Sequence, residues 1–337
     1  MEQNQSDHPL KILLTGADGF LGVSLIYELL NRGYFIRAFI EPSRGKNLPE
    51  HPNIEKFSGD ILNADSLEKA AADCDAIIHT AACTDLWPSR SAKVRNINYE
   101  GTSNIIQTAL KLQIKRLVYV STANSFGFGN RQNPGNEETA YFAGKYKLDY
   151  LDSKYAAQQL ILDTVKNEHL PAIILNPTFM FGPYDSKPGA GAMIQAVYYG
   201  KIPGYTSGGR NFAYVKDVAE AIANALTMGR IGQCYILGNQ NLTYDKIFGI
   251  IARTANVKAP AMKIPTPFIK IFGLIGTLAG KISGKAPAIS YPVACISCDK
   301  HFYSSAKAIK ELALRQTNIE IAVKESFDWL KNNGYLN

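Results

Sequence analysis

Apolar residues in the first half of the chain fall in short, nearly unbroken runs. After each run they recur every three or four positions over a longer stretch. The runs Lys11–Leu14, Phe35–Ile40, Ile54–Ser58, Ala76–His79, Arg116–Val120 and Ala172–Leu175 read as strands buried on both faces. The amphipathic stretches Ser24–Asn31, Ser66–Ala72, Asn98–Lys111 and Lys154–Asn167 read as helices between them. This alternation predicts an α/β fold, a doubly wound parallel sheet over residues 10–176. Beyond Pro177, Gly, Pro and Tyr become frequent, and helical patterns return at Val218–Thr227, Tyr244–Ala255 and Ile319–Asn332. Residues 177–337 are expected to form mainly a smaller C-terminal lobe, interleaved with late strands and helices of the sheet.

The first strand breaks into Thr15-Gly16-Ala17-Asp18-Gly19-Phe20-Leu21-Gly22 and then enters a helical stretch. Gly16 permits a tight turn, Gly19 lets backbone approach a pyrophosphate, and Gly22 lets helix pack closely on strand. The helix N-terminus turns unpaired N–H groups toward the phosphates. The expected sheet is therefore Rossmann-type, with Gly16, Asp18, Gly19, Phe20, Leu21 and Gly22 around a dinucleotide. Ligands of such sheets sit at the carboxyl ends of the strands. After the second strand, Glu41 is placed to accept from an adenosine ribose, favouring NAD over NADP, while Arg44 and Lys46 are placed to pair with a 2′-phosphate. After the third, Asp60 and Ile61 suit an adenine amino group and ring, although an Asp there also reads as a helix N-cap. Ala81 and Ala82 follow the fourth strand and leave backbone open to a flat cofactor.

The fifth strand ends in Ser121-Thr122, hydroxyls able to hold a substrate oxygen. Downstream, Tyr150 and Lys154 are spaced i, i+4 and share a helix face. A phenol titrates near 10, and a neighbouring cation favours its ionised form, so Lys154 is expected to lower the Tyr150 pKa. In this reading Tyr150 passes the proton, Thr122 orients the oxygen, and Lys154 also holds the nicotinamide ribose. A second Tyr-x-x-x-Lys, Tyr141 to Lys145, contains Gly144, which argues against a helix there.

The net charge of +7 comes from scattered basic residues without long runs, which points away from nucleic acid and toward anionic small molecules. Five dispersed cysteines suit reduced cytoplasmic thiols, and the segment Pro292–Cys298 reads as a strand with buried thiols and no metal. Residues 1–9 read as a flexible arm. The apolar segment Ile271–Gly280, bounded by Lys270 and Lys281, is too short to span a bilayer. It reads as a helix of the substrate lobe, with weak peripheral membrane contact as the second reading.

Together these residues resemble the extended short-chain dehydrogenases/reductases, the NAD-dependent epimerase/dehydratase family, over nearly the whole chain. Finer features look like the dihydroflavonol-4-reductase-like and 3β-hydroxysteroid dehydrogenase-like branch: His79-Thr80-Ala81-Ala82 with Leu86-Trp87, Tyr235-Ile236-Leu237-Gly238-Asn239, and Trp329-Leu330 near Gly334-Tyr335. The resemblance implies that Thr122, Tyr150 and Lys154 are catalytic and that Asn98 is the family's structural Asn. It implies that Pro177 and Thr178 contact the nicotinamide amide, and that the protein is a homodimer through a four-helix bundle. Glu41 stands where that branch usually has Arg, Asn176 where an Arg often precedes the Pro, and Lys216 where an acid is frequent. Thr84, Trp87, Ser125, Phe179 and Arg210 are the candidate substrate residues. The aromatic lining suits an oxidoreductase acting on a carbonyl/alcohol pair of a fairly apolar small molecule. Arg210, where nucleotide-sugar epimerases keep an Arg for the diphosphate, leaves an epimerase or dehydratase as the alternative.

Overall fold

The computed structural model describes residues 9–42, 45, 47–187 and 189–336. The arm expected at residues 1–9, apart from Pro9, lies outside the described residues, as does Arg44. In chain order the first elements are β1 (Lys11–Thr15), α1 (Phe20–Asn31), β2 (Phe35–Ile40), β3 (Ile54–Ser58), α2 (Ala64–Ala71) and β4 (Ala76–His79). Then come α3 (Ala92–Arg95), α4 (Gly101–Lys111), β5 (Arg116–Val120), α5 (Asp149–Glu168) and β6 (Ala172–Pro177). The next group is β7 (Phe179–Phe181), α6 (Gly191–Tyr198), β8 (Gly204–Tyr205), β9 (Gly209–Tyr214), α7 (Val215–Asn224), β10 (Cys234–Leu237) and β11 (Gln240–Thr243). The last is α8 (Tyr244–Ala255), β12 (Met262–Lys263), α9 (Thr266–Ser283), α10 (Tyr291–Cys298), β13 (Lys300–His301), α11 (Ala306–Leu312) and α12 (Ile319–Asn332).

Seven parallel strands form the main sheet in the order β10-β6-β5-β4-β1-β2-β3. Its strands read as continuous apolar runs because both faces are covered. Ile12 and Leu14 of β1 meet Leu25, Ile26 and Leu29 of α1 and Ile222 of α7, while Leu13 turns the other way toward Ile105 and Ile106 of α4 and Ile161 of α5. At the outer edge, β3 exposes Glu55 and Lys56, a charged edge that discourages pairing with other chains. Chain order reverses at β1, between β2 and β4, which opens a crevice at their carboxyl ends. The lobe is built on β11-β9-β13 with β7 beside β9. Its own core joins Phe181, Phe212, Ile247, Ile251, Ile319 and Leu330.

Three local departures from the sequence expectations have physical reasons. The segment expected to be a strand at Pro292–Cys298 is helix α10. Pro292 sits in its first turn, where a missing N–H is harmless. Its apolar character reflects packing, since Ile296 joins Tyr146, Leu148 and Leu151. Short apolar runs do not separate helix from strand. The thiols of Cys295 and Cys298 are only half-buried. The cap of α2 is Asn63, which accepts from Ser66 N, and not Asp60. Before α4, residues Asn96–Glu100 form a π-turn, the wide turn that carries Asn98.

A Cβ at Gly22 would overlap the Gly16 carbonyl oxygen, so α1 can rest on the β1 turn only with glycine there. Gly22→Ala should cost about 3 kcal/mol of stability, read as a lowered urea midpoint with unchanged slope. A loss below about 0.5 kcal/mol would mean that the turn relaxes freely.

Candidate active site

The turn after β1 has Gly16 at φ +69°, a left-handed conformation that suits glycine. A Cβ there would lie 2.7 Å from Ala81 N, so the ends of β1 and β4 meet backbone to backbone. Gly19 caps α1, and no acidic side chain occupies its first turn to neutralise the positive end. Side chains tie the two strand ends together. Thr80 Oγ1 donates to Thr15 O (2.7 Å), and Ala81 N donates to Thr15 Oγ1 (3.3 Å). His79 Nδ1 meets Thr15 Oγ1 at 2.7 Å, and its Nε2 meets Thr102 Oγ1 of α4 at 3.2 Å. Burial, reinforced by the charge of Lys154, drives the His79 pKa down to about 3, so this imidazole is a neutral strut.

Along the adenosine side, Glu41 follows β2 on the surface. Asp60 is exposed, and its Oδ1 accepts from Leu62 N at 2.9 Å. The Ile61 side chain packs on Gly101 at the start of α4.

The chemistry gathers under β5 and the start of α5. Asp149 anchors that helix: it is 2 % exposed and pairs with Arg90 and Arg95, both at 2.7 Å, while accepting from Ser91 N. Tyr150 follows in the first turn. Thr122 acts on its phenol to lower the pKa, and the Thr122 hydroxyl caps the short turn Ala123–Ser125 by accepting from Asn124 N. Lys154 is buried, donates to Val120 O at 2.7 Å and lies 4.4 Å from the centre of the Tyr119 ring. Burial alone pushes its pKa down to about 7. Burial also raises the Tyr150 pKa, opposed by the Thr122 contact and by the positive charge of Arg210. Arg210 is thus a cation that acts on the phenol, one that the spacing of Tyr150 and Lys154 does not reveal. An i, i+4 spacing fixes a shared face, but not how far the lysine reaches beneath it.

Asn98 accepts from Cys83 N (2.8 Å) and donates to Cys83 O and Ser153 Oγ (both 3.0 Å). It thereby locks the loop after β4 to the residue beside Lys154. Ser121 and Ser125 share a bond of 3.2 Å, and Ser125 lines a cleft with Glu137, Tyr155 and Gln158. Pro177 ends β6, and Thr178 donates to Asn211 at 2.9 Å. Thr84 is exposed, and Trp87 packs on Gly280 of α9. The second Tyr-x-x-x-Lys copy is not a catalytic pair: Tyr141 donates to Asp152 (2.7 Å), and Lys145 pairs with Asp299.

Arg210 stacks over Phe179 at 5.3 Å and donates to Tyr244 at 2.9 Å. No carboxylate pairs with it among the described residues. Tyr146, Tyr303 and His301 stand around it. His301 bridges Asn124 (3.2 Å) and Tyr146 (3.3 Å). The sequence reading missed Asn124, Tyr146, His301 and Tyr303, which arrive from distant elements. It also missed Gln158, which with Thr122 O holds the amide of Asn176. Gln158 had a readable signal, one turn after Lys154 on the same helix face.

The profile of the NAD dependent epimerase/dehydratase family matches residues 12–238. The chain belongs to that family. It is an enzyme of the short-chain dehydrogenase/reductase type, and the family's NAD dependence agrees with the glycine turn. A putative dihydroflavonol 4-reductase of Synechocystis is 30 % identical over 96 % of this chain and 95 % of its own length. A sterol-4-alpha-carboxylate 3-dehydrogenase of Candida albicans is 26 % identical over 96 % and 98 %. The crystal structure of gox2253 superposes with a TM-score of 0.86 at 31 % identity, covering 98 % of this chain and all of that one. The residues present fit a dinucleotide: the Gly16–Ala81 cradle admits no Cβ, and the N-terminus of α1 is free of acids.

Lys154 has a testable pH signature. Its folded pKa of about 7 lies below the ordinary 10.5, so between those values the unfolded chain holds a proton that the folded chain has released. Stability should therefore rise with pH through that window. Relative to Lys154→Met, the wild type should gain up to about 1.4 kcal/mol per pH unit above neutrality, measured by urea unfolding without dinucleotide. A pH-independent difference would mean that the ammonium is not desolvated.

Proposed function

We propose that this oxidoreductase reduces a carbonyl, or oxidises the matching secondary alcohol, on a fairly apolar ring-containing small molecule, with NAD(H) preferred. The observation carrying this reading is that Thr122 after β5 and Arg210 of β9 both act on the Tyr150 phenol, with Phe179 stacked on the guanidinium. Names of full-length relatives that act on sterols or dihydroflavonols support the substrate class. Glu41 at the end of β2 supports NAD.

Gly16, Gly19, Gly22, Ala81 and Ala82 would hold the dinucleotide, with Glu41, Asp60 and Ile61 on the adenosine half and Lys154, Pro177 and Thr178 on the nicotinamide half. When bound, it supplies or accepts the hydride. The protein's own work is positional and acid–base. Burial keeps the Tyr150 phenol protonated, so it can donate to a carbonyl oxygen as that oxygen gains charge. Thr122 offers a second donor to the same oxygen, and Arg210 supports negative charge on it. In the reverse direction the ionised form of Tyr150, which Thr122 and Arg210 favour, receives the alcohol proton. Lys154, fixed by Val120 O, would hold the nicotinamide ribose. Asn98 and Asp149 are positioning residues.

That no carboxylate among the described residues pairs with Arg210 favours a second reading, an epimerase or dehydratase for a nucleotide-sugar diphosphate. An epimerase interconverts its sugars without added cofactor, whereas a reductase consumes added NADH in step with product. The family resemblance supports a homodimer through α4 and α5, measurable by light scattering, and free thiols support a cytoplasmic setting.

Tyr150→Phe should lower kcat by roughly a hundred- to ten-thousand-fold while NADH affinity, read by fluorescence titration, stays essentially unchanged. Full turnover in that variant would remove the phenol from the mechanism. Glu41 predicts tighter NADH than NADPH binding in the same titration, and a clear preference for NADPH would overturn that assignment.

A further inference from the structure

Helix α9 is held to the protein by its smallest residues. A Cβ at Gly273 would lie 2.6 Å from the Ala294 Cβ and 3.1 Å from the Ser290 carbonyl oxygen; at Gly280 it would lie 2.8 Å from the Trp87 ring. With Gly273 and Gly280 turned inward, the large side chains point out. Phe268 is 67 % and Ile282 89 % exposed, and Ile271, Phe272, Ile275 and Leu278 are each more than half exposed. At 3.6 residues per turn these six fall within about 120° of the helix circumference. They form one continuous apolar face, not scattered exposed residues.

Charge decides what covers this face. Between Asp245 and Asp299 the chain has no Asp or Glu, while Lys258, Lys263, Lys270, Lys281 and Lys285 lie on or near α9. A second copy of the chain is a poor occupant, because a two-fold contact sets the same lysine-bordered face against itself. No helix among the described residues is long and apolar enough to cross a membrane. An apolar stripe bordered by lysines on one helix suits a surface that is apolar within and anionic at its rim.

We propose that α9 is a membrane-surface helix whose apolar face seats in the headgroup region of an anionic lipid bilayer, with its lysines on the lipid phosphates. Trp87 packs on the inner side of the same helix at Gly280, which leaves the outer apolar face clear. The assignment does not rest on the reaction proposed above, because vesicle binding is read without turnover.

The full chain is sedimented with vesicles of phosphatidylcholine alone and of equal parts phosphatidylcholine and phosphatidylglycerol. The wild type should pellet with the mixed vesicles and weakly with the neutral ones. Each of Lys270→Gln and Lys281→Gln should weaken binding about five-fold, and Phe272→Glu with Ile282→Glu should abolish it. Retained NADH binding checks that these variants are folded. Failure to pellet with either vesicle, equal binding to both, or full binding by the Phe272/Ile282 variant would overturn the proposal. So would light scattering without lipid in which that variant turns a dimer into a monomer, since the face would then belong to a second copy.

Discussion

A buried lysine with no carboxylate partner among the described residues governs the architecture of this site. Lys154 is 2 % exposed, and its direct partners are a carbonyl oxygen and an aromatic face. Removing such a charge from water is unfavourable, and the fold tolerates it only by fixing everything around it. Val120 must end β5 at the right height, Tyr119 must turn beneath, and His79 must stay neutral. Asp149 clamps the start of α5 from the far side, so the helix carrying the lysine cannot shift to let it reach solvent. A hydrophobic residue at this position would suit the core better, so the buried lysine is a cost to stability and not a source of it.

The rest of the site follows from how strand ends converge. Hydrogen bonds through Thr15, His79 and Thr102 join β1, β4 and α4, and Asn98 ties the next loop to α5. Each polar side chain there is satisfied by a neighbour from a different element, so placement is collective. Arg210 differs in kind. It comes from the lobe, sits among tyrosines and bears on Tyr150 across the cleft, which makes the acidity of the phenol a property of lobe and sheet together.

What the sequence made legible was whatever depends on local period. Ile12-Leu13-Leu14 announced a strand covered on both faces, and Tyr150 with Lys154 announced a helix face. Depth and distance were not legible. That Lys154 points to Val120 O, and that Arg210 acts on Tyr150, depends on contacts between residues far apart in the chain. The grouping of Asn124, Tyr146, His301 and Tyr303 has no local pattern. Helix α10 was misread because its apolar side chains serve packing that could equally have covered a strand. Asp60 lost its capping role to Asn63, three residues on, a choice among polar residues that period does not make.

The path of the chain through the main sheet has a further consequence for modularity. The chain leaves the sheet at Pro177, builds β7 to β9 in the lobe, packs α7 against α1 on the sheet, and returns to lay β10 beside β6. Lobe and sheet are thus interlaced by the path of the chain, although each keeps its own core. A chain cut at Pro177 would lack the strand that covers β6, and the backbone of Ile174 and Leu175 would become an unpaired apolar edge open to foreign strands. The two halves are therefore not interchangeable cassettes, and recombining this lobe with another sheet would have to carry β10 along with it.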